Sequence, residues 1–234
     1  MRAWPFRMRH GAVTLARMLE AARELAIGVL VFEGAEELDY VGPWEVLAMS
    51  SEVLAKAAQQ PGQQNGPRSR VTLLAEELAP VRSAKGLVVV PHARLADSGP
   101  LDVLVVPGGR GVRRELGRPA GLAALARAAA PCSFVASVCT GSALLVAAGL
   151  ADGRRVTTHW AYVDTLRATG RVDVQADARY VCDGRIVTAA GVSAGIDMSL
   201  WLIGQLFGIP HAREVSRQIE YDPAPPYGQD SGVP

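Results

Sequence analysis

The chain has 234 residues, of which 49% are hydrophobic and 20% charged, with a formal net charge of +1. This length suffices for one domain with a sizeable core, and the near-neutral balance gives no reason to expect nucleic acid or a membrane as a partner. Three cysteines without a C-x-x-C pair argue against a disulfide framework and favour a cytoplasmic setting, and no Cys/His cluster predicts a metal site or cofactor.

The first predicted strand spans residues 25–32, a nearly unbroken apolar run that is typical of a strand buried on both faces. Residues 1–24 are rich in Arg, lack the apolar run of a signal peptide, and are expected to form a loosely ordered extension. A loop then carries Asp39, and Gly42-Pro43 is predicted to open a helix that ends near Ala58. No stretch has the roughly 18 apolar residues of a membrane span.

Further along the chain, strands and helices alternate. Strands are predicted at 70–74, 102–106, 133–138 and 155–158, hairpins at 81–91 and 179–188, and helices at 120–130, 140–148, 161–168, 194–207 and 211–219. The alternation predicts a single α/β domain over residues 25–222, with a largely parallel sheet flanked by helices. Residues 223–234 are too rich in Pro for a regular element and are predicted to be a tail.

One cysteine has the sequence context of a reactive residue. The run Ser137-Val138-Cys139-Thr140-Gly141 has the pattern of a nucleophile elbow, in which a strand ends, one residue turns, and a Gly lets the next helix pack closely. The helix N-terminus would favour a thiolate at Cys139, and the amides of Thr140 and Gly141 would hold an anion that develops during reaction. The alternative is a buried structural cysteine, our interpretation of Cys132 and Cys182.

Two neighbouring groups are predicted to face that cysteine. Gly108-Gly109 follow the strand predicted at 102–106, and their amides would complete an oxyanion hole; a plain tight turn is the alternative. Asp39 follows the first strand, and a carboxyl group beside a thiolate and shielded from water would keep its proton and act as a general acid. The alternative for Asp39 is a capping residue at the helix start.

A third group of candidates would contact a substrate. His159 follows the strand predicted at 155–158, so it would polarise Cys139 or line the pocket, with a structural histidine as the alternative. Trp44, Trp160 and Tyr162 would wall an apolar pocket, unless they are core residues. Gly191 is a further candidate for substrate binding.

Five motifs in a fixed order resemble the ThiJ/PfpI superfamily, the class I glutamine amidotransferase-like group with a cysteine elbow. They are residues 38–43, 106–109, 137–141, 157–160 and 194–197, and the resemblance covers about residues 25–226. Within this group, residues 219–226 look most like the isonitrile hydratase family, which adds water to an isonitrile to give an N-substituted formamide. The resemblance implies catalytic roles for Cys139, Asp39 and Thr140, a small-molecule substrate and a homodimer.

Other members of the superfamily suggest different functions. The same motifs occur in the ligand-sensing halves of AraC-type regulators, which carry a helix-turn-helix region after this domain; 27 residues follow Phe207 here, so we expect at most a stand-alone sensor. Glyoxalase or deglycase members usually place Glu where this chain has Asp39. Protease-like members have His directly after the cysteine, where this chain has Thr140.

Overall fold

The computed structural model describes residues 24–62 and 64–223, so the predicted extension and tail fall almost wholly outside the described residues. The strands are β1 (Glu24–Leu30), β2 (Arg68–Ala75), β3 (Val81–Arg82), β4 (Val88–Val89), β5 (Ala93–Arg94), β6 (Val103–Val106), β7 (Phe134–Val138), β8 (Arg155–Val156), β9 (Asp173–Val174), β10 (Tyr180–Asp183) and β11 (Ile186–Ala189). The helices are α1 (Glu37–Ala58), α2 (Val112–Leu116), α3 (Pro119–Ala129), α4 (Gly141–Ala147), α5 (Val163–Arg167), α6 (Ala194–Phe207) and α7 (Ile209–Gln218).

The main sheet is largely parallel, as predicted. Over the described part of the chain it has seven strands in the order β10-β11-β7-β6-β1-β2-β5, and β10 alone runs antiparallel to its neighbour. The chain moves from β1 outwards to β2 and β5, then returns to the other side of β1 with β6. The order therefore reverses between β1 and β6, which is where open α/β sheets bind ligands, beyond the carboxyl ends of the strands.

Helices cover both faces of this sheet, and each face has its own core. On β6, Val103 and Val105 join the core under α1, α6 and α7, whereas Leu104 and Val106 join the core under α3 and α4. Both pairs are fully buried, and burial of each such side chain contributes roughly 1.5–3 kcal/mol. Burial on two faces explains why the central strands are continuous apolar runs in the sequence.

Helix α1 begins earlier than the sequence suggested. It starts at Glu37 and contains Pro43 in its interior, so the predicted loop around Asp39 and the predicted helix start at Gly42 are wrong. The Pro43 ring packs against α6, where a Cβ on Gly195 would lie 3.2 Å from it. This tertiary contact outweighs the preference of Pro for a first helical turn. As a result, Asp39 lies in the first turn of α1.

The strand predicted at 155–158 lies outside the main sheet. It shortens to β8, which pairs in parallel with β9 in a separate two-stranded sheet. The residues after it are attached to the main sheet through side chains, since the Thr157 amide donates to Thr188 Oγ1 at 2.8 Å. The helix predicted at 161–168 likewise divides into a 3-10 turn, Trp160–Tyr162, followed by α5. In residues 24–62 and 64–223, no helix has the length and apolar character needed to cross a membrane.

Gly141 allows the start of α4 to approach the end of β6. A Cβ at Gly141 would lie 2.8 Å from the carbonyl oxygen of Pro107, and closer still to that of Val106. Both neighbours are backbone atoms, so neither can rotate away as a side chain would. The close packing expected for the second residue after the elbow cysteine is therefore present.

We expect Gly141→Ala to lower the free energy of unfolding by about 1–3 kcal/mol, because the new methyl group overpacks a rigid backbone contact. The matched control is Gly121→Ala in α3, where the added Cβ meets only Arg118 Cβ at 3.8 Å. That change should raise stability by roughly 0.5–1 kcal/mol, since Ala suits a helix better than Gly. Urea unfolding of both variants measures the difference, and equal effects would contradict the contact described here.

Candidate active site

Cys139 occupies a strained turn between β7 and α4. Its φ is +57°, a left-handed conformation that non-Gly residues rarely adopt. Hydrogen bonds hold the turn from both sides: its amide donates to the Ala189 carbonyl at 3.1 Å, and its carbonyl accepts the hydroxyls of Thr158 and Ser142, each at 3.0 Å. The surrounding structure therefore imposes the strain, as is common at functional sites.

The carboxyl group of Asp39 lies against the Cys139 side chain. Asp39 is fully buried, and its two oxygens accept amide hydrogens from Gly108 at 2.9 Å and Val192 at 3.1 Å. The Cys139 thiol lies close enough to this carboxyl group to lower its pKa. The structure thus brings together three segments, those after β1, β6 and β11, around one carboxyl group.

Val192 is the contributor that the sequence did not indicate. Its φ is +47°, which is unusual for a β-branched residue and costs of order 1–3 kcal/mol. This backbone conformation accompanies the hydrogen bond from its amide to Asp39 Oδ1. The sequence indicated only the preceding residue, Gly191, as a candidate. Val192 contributes through its backbone amide, which its side-chain type does not predict.

Burial controls the protonation of the Asp39–Cys139 pair. Burial, reinforced by the negative charge of Glu36, raises the pKa of Asp39 to about 7, although the Gly108 and Val192 amides and the Cys139 thiol lower it. Burial and the charge of Asp39 raise the pKa of Cys139 to about 12, although the Thr140 amide and hydroxyl lower it. Below about pH 7 the pair therefore holds two protons, and above it the pair holds one, which Cys139 can pass to the Asp39 carboxylate.

This result corrects the expectation of a thiolate with a lowered pKa at the helix N-terminus. Cys139 is only 7% exposed, so the cost of burying a charge outweighs the favourable dipole and hydrogen bonds at the start of α4. The sulfur is a protonated thiol beside Asp39 unless that carboxylate takes the proton. Any chemistry of Cys139 must therefore include this proton.

The glycine amides after β6 are already occupied. The Gly108 amide donates to Asp39 Oδ2, and the Gly109 amide donates to Thr140 Oγ1 at 3.0 Å. Neither amide is free to bind an oxyanion as the sequence analysis suggested. Instead, Gly108 and Gly109 position the carboxyl group and the threonine hydroxyl. Both the amide and the hydroxyl of Thr140 lower the pKa of the neighbouring Cys139 thiol.

His159, Trp160 and Gly191 form a second group beside the pair. The His159 ring lies over Gly191, where a Cβ would be 2.8 Å from His159 Cδ2, and its Nδ1 accepts the Ala161 amide at 3.2 Å. Trp160 is 80% exposed, and its ring contacts that of His159 with centroids 5.4 Å apart. Gly191 connects this group to the pair, because the next amide along the chain binds Asp39.

The other candidates named from the sequence, Cys132, Cys182, Trp44 and Tyr162, lie in or pack against the two hydrophobic cores. Cys132 is buried, Cys182 is half-buried, and burial raises the pKa of each thiol to about 12. Trp44 packs partly buried against the α1 core and contacts the His92 ring at 5.3 Å between centroids. Among the described residues, no three His, Cys, Asp or Glu side chains are grouped to hold a metal ion.

Two cavities of the described chain are lined by other residues. One, of about 1310 Å³, is an open groove between β10, α6 and α7, and the other, of about 290 Å³, lies between the ends of β1 and β2 and helix α3. Neither is lined by Asp39 or Cys139. The candidate site is therefore identified by its strained backbone, buried carboxyl and thiol, and not by cavity size.

Residues 26–205 match the sequence model of the DJ-1/PfpI family. The chain belongs to this family. It is 41% identical over 210 residues to isonitrile hydratase of Pseudomonas putida, covering 90% of this chain and 83% of that protein. It also superimposes on the crystal structure of a ThiJ/PfpI family protein from Pseudomonas syringae with a TM-score of 0.77 and 30% identity, covering 98% of this chain and 86% of that one.

A transcriptional regulator shares the fold of this DJ-1/PfpI family member. The crystal structure of an AraC family transcriptional regulator from Pseudomonas putida superimposes with a TM-score of 0.68 and 20% identity, covering 83% of this chain and 99% of that one. At this identity the match shows a common fold alone. The family and the α/β fold predicted from the motifs are confirmed by these comparisons.

The raised pKa of Asp39 predicts how stability depends on pH. An unfolded Asp titrates near pH 3.9, whereas the folded Asp39 titrates at about 7, so between these values the folded state holds a proton that the unfolded state has lost. The free energy of unfolding should therefore fall as pH rises from 4 to 7. The difference in this free energy between the wild type and Asp39→Asn should shrink by up to about 4 kcal/mol from pH 4 to 8.

Denaturant unfolding of both proteins at each pH measures this difference. The contributions of the other titrating groups cancel in it, because both proteins contain them. Asp164→Asn is the control, because the Asp164 side chain is 99% exposed. The difference in the free energy of unfolding between the wild type and this variant should change by less than about 0.5 kcal/mol over the same pH range. A flat difference for Asp39→Asn would contradict a buried carboxyl with a raised pKa.

Proposed function

We propose that this protein hydrates an isonitrile, R–N≡C, to an N-substituted formamide. The observation that carries the proposal is the contact between the Cys139 thiol and the fully buried carboxyl of Asp39, whose pKa is raised to about 7. Identity of 41% with an isonitrile hydratase over 90% of this chain supports the same reaction class. The terminal carbon of an isonitrile accepts a proton and a nucleophile on one atom, and this pair can supply both.

The first step transfers the shared proton and forms a covalent bond to sulfur. Asp39 takes the proton from the Cys139 thiol and delivers it to the isonitrile carbon while the sulfur bonds to the same carbon. The S–H bond breaks, C–H and C–S bonds form, and the product is a thioimidate, R–N=CH–S, attached to Cys139. The raised pKa of the thiol is no obstacle here, because its proton is consumed by the reaction.

The second step hydrolyses the thioimidate. Water adds to the carbon, one of its protons passes to nitrogen, and the C–S bond breaks as the C=O bond forms. The remaining proton returns through Asp39 to the sulfur, which regenerates the starting pair and releases R–NH–CHO. One isonitrile and one water are consumed for each formamide, so the pair ends each cycle with its original proton.

Neighbouring residues have defined roles in this proposal. Thr140 would stabilise negative charge on the sulfur through its amide and hydroxyl, since both already lower the pKa of Cys139. The amides of Gly108 and Val192 would keep the Asp39 carboxyl oriented towards the sulfur. His159, Trp160 and Gly191 would contact the R group, and the exposed Trp160 ring offers an apolar surface for it.

The test is formamide production from a simple aromatic isonitrile, followed by chromatography. Cys139→Ala should reduce the rate to the uncatalysed background, and Asp39→Asn should lower it by about 10²–10⁴-fold, the range typical of a positioned acid–base group. Cys182→Ser, which removes a cysteine of β10 outside the site, should stay within about twofold of the wild type. Full activity of Cys139→Ala would refute the mechanism.

The same assay gives a pH profile. Asp39 must be ionised to accept the thiol proton, so the enzymatic rate should fall about tenfold per unit below the pKa of about 7. Incubation with methylglyoxal is the parallel arm. Lactate without formamide would replace the proposal by a glyoxalase, and binding of isonitrile without either product would indicate a sensor.

A further inference from the structure

Lys85 is one of two lysines in the chain, and it lies near the candidate site. The other is Lys56, in the last turn of α1. Lys85 is located at the tip of the β3–β4 hairpin, where Gly86 adopts a φ of +105°. The Lys85 side chain is 68% exposed, yet it reaches back towards the first turn of α1. Its position is therefore fixed by contacts of the hairpin and not by burial.

The hairpin is attached firmly to the segment that leads into α1. The Gly34 amide donates to the Arg82 carbonyl at 2.8 Å, and the Ala84 amide donates to the Ala35 carbonyl at 2.7 Å. The buried hydroxyls of Tyr40 and Ser83 share a hydrogen bond of 2.6 Å. These contacts hold the tip of the hairpin beside Glu36 and Glu37.

Lys85 supplies the positive charge for both of these acids. Its ammonium forms an ion pair with Glu36 Oε1 and lies 3.8 Å from Glu37 Oε2. Glu37 Oε2 is buried and accepts no hydrogen bond from the described residues, so the ammonium balances its charge. Burial alone would raise the pKa of Glu37, but nearby backbone amides and Lys85 lower it below its ordinary value.

Glu36 connects this ion pair to the buried Asp39–Cys139 pair. The Glu36 amide donates to the Gly108 carbonyl at 2.9 Å, and Gly108 in turn donates to Asp39. The charge of Glu36 contributes to the raised pKa of both Asp39 and Cys139. In the opposite direction, hydrogen bonding to Glu36 raises the pKa of Lys85, and the charge of Asp39 adds to this effect.

We propose that Lys85 is a positioning residue for the Asp39–Cys139 pair, because its ammonium holds the Glu36 carboxylate at the hairpin and cancels much of the negative charge that the buried pair would otherwise experience. Two pairs of groups are involved, the Lys85–Glu36 ion pair and the Asp39–Cys139 pair. Besides Glu36 and Cys139 themselves, the titratable groups nearby are Glu37 and Tyr40 from α1. The proposal concerns the ionisation of the pair itself. It therefore holds for whichever electrophile the sulfur attacks.

The experiment follows the pH dependence of Cys139 alkylation by iodoacetamide in a Cys132→Ser, Cys182→Ser background, where Cys139 is the sole thiol. The alkylation rate should first rise with pH where the Asp39–Cys139 pair loses its first proton, and the pH at half of this rise is the first midpoint. Removal of a nearby positive charge makes the pair harder to ionise, so Lys85→Met should move this midpoint to higher pH. Below that midpoint, the alkylation rate should drop by about three- to tenfold at low ionic strength. Added salt should reduce the difference, because Lys85 is exposed.

Lys56→Met is the matched control. It removes the same charge from the far end of α1, roughly 25 Å from Asp39 by the rise of an α-helix and well beyond the Debye length, so the midpoint should not move. Lys85→Arg keeps the charge and should retain most of the wild-type profile. A shift in Lys85→Met no larger than in Lys56→Met would overturn the proposal.

Glu36→Gln separates an electrostatic role from a purely structural one. Loss of the like charge should lower the midpoint, and the double variant Glu36→Gln, Lys85→Met should return towards the wild type. A hairpin that merely loosens would reduce the melting temperature of Lys85→Met without moving the midpoint, and that result would also reject the proposal. None of these readouts requires isonitrile turnover, so a failure here is distinct from a failure of the proposed function.

Discussion

The contact between a buried carboxyl group and a buried thiol is the constraint on which the rest of this site depends. A carboxyl group without exposure must have its polar atoms satisfied, and Asp39 achieves this with amides from the loops after β6 and β11 as well as the thiol after β7. Each donor is located at the carboxyl end of a strand. The sheet order, which reverses beside β1, brings these ends to one edge.

Backbone-to-backbone packing gives this contact its rigidity. A Cβ at Gly108 would lie 2.5 Å from the Thr140 amide nitrogen, so the loop after β6 and the start of α4 touch without side chains between them. Cys139 and Val192 both hold positive φ angles within this packed region. Strain of this kind persists only where neighbours determine the conformation, and here those neighbours are hydrogen-bonded strand ends and close-packed glycines.

The sequence predicted the features that depend on local pattern. Apolar runs indicated the buried strands β1, β6 and β7, and the Gly two positions after Cys139 indicated the tight elbow, because both signals arise from residues adjacent in the chain. The start of α1 was predicted wrongly, since the contact of Pro43 with α6 is tertiary. The separate pairing of β8 escaped prediction for the same reason, as strand partners are chosen by long-range contacts.

The protonation of the site is also a tertiary property, and it changed the mechanism. An elbow cysteine at a helix N-terminus suggests a thiolate when only local dipoles are considered. The structure adds burial and a carboxyl neighbour, which raise the pKa of Cys139 to about 12. Similarly, the amide of Val192 contributes through a backbone conformation that no side-chain pattern encodes.

A shared proton explains why this arrangement suits a carbon that needs both a base and an acid. A free thiolate would attack an electrophile but would leave the isonitrile carbon without a proton, whereas a fully protonated pair would lack a base. The pair holds a single shared proton only between the pKa of Asp39, about 7, and that of Cys139, about 12. The charge of Glu36 raises the lower limit of this range, and in our proposal the ammonium of Lys85 counteracts it. The chemistry of the site is therefore set by the number of charges around the sulfur as much as by the sulfur itself.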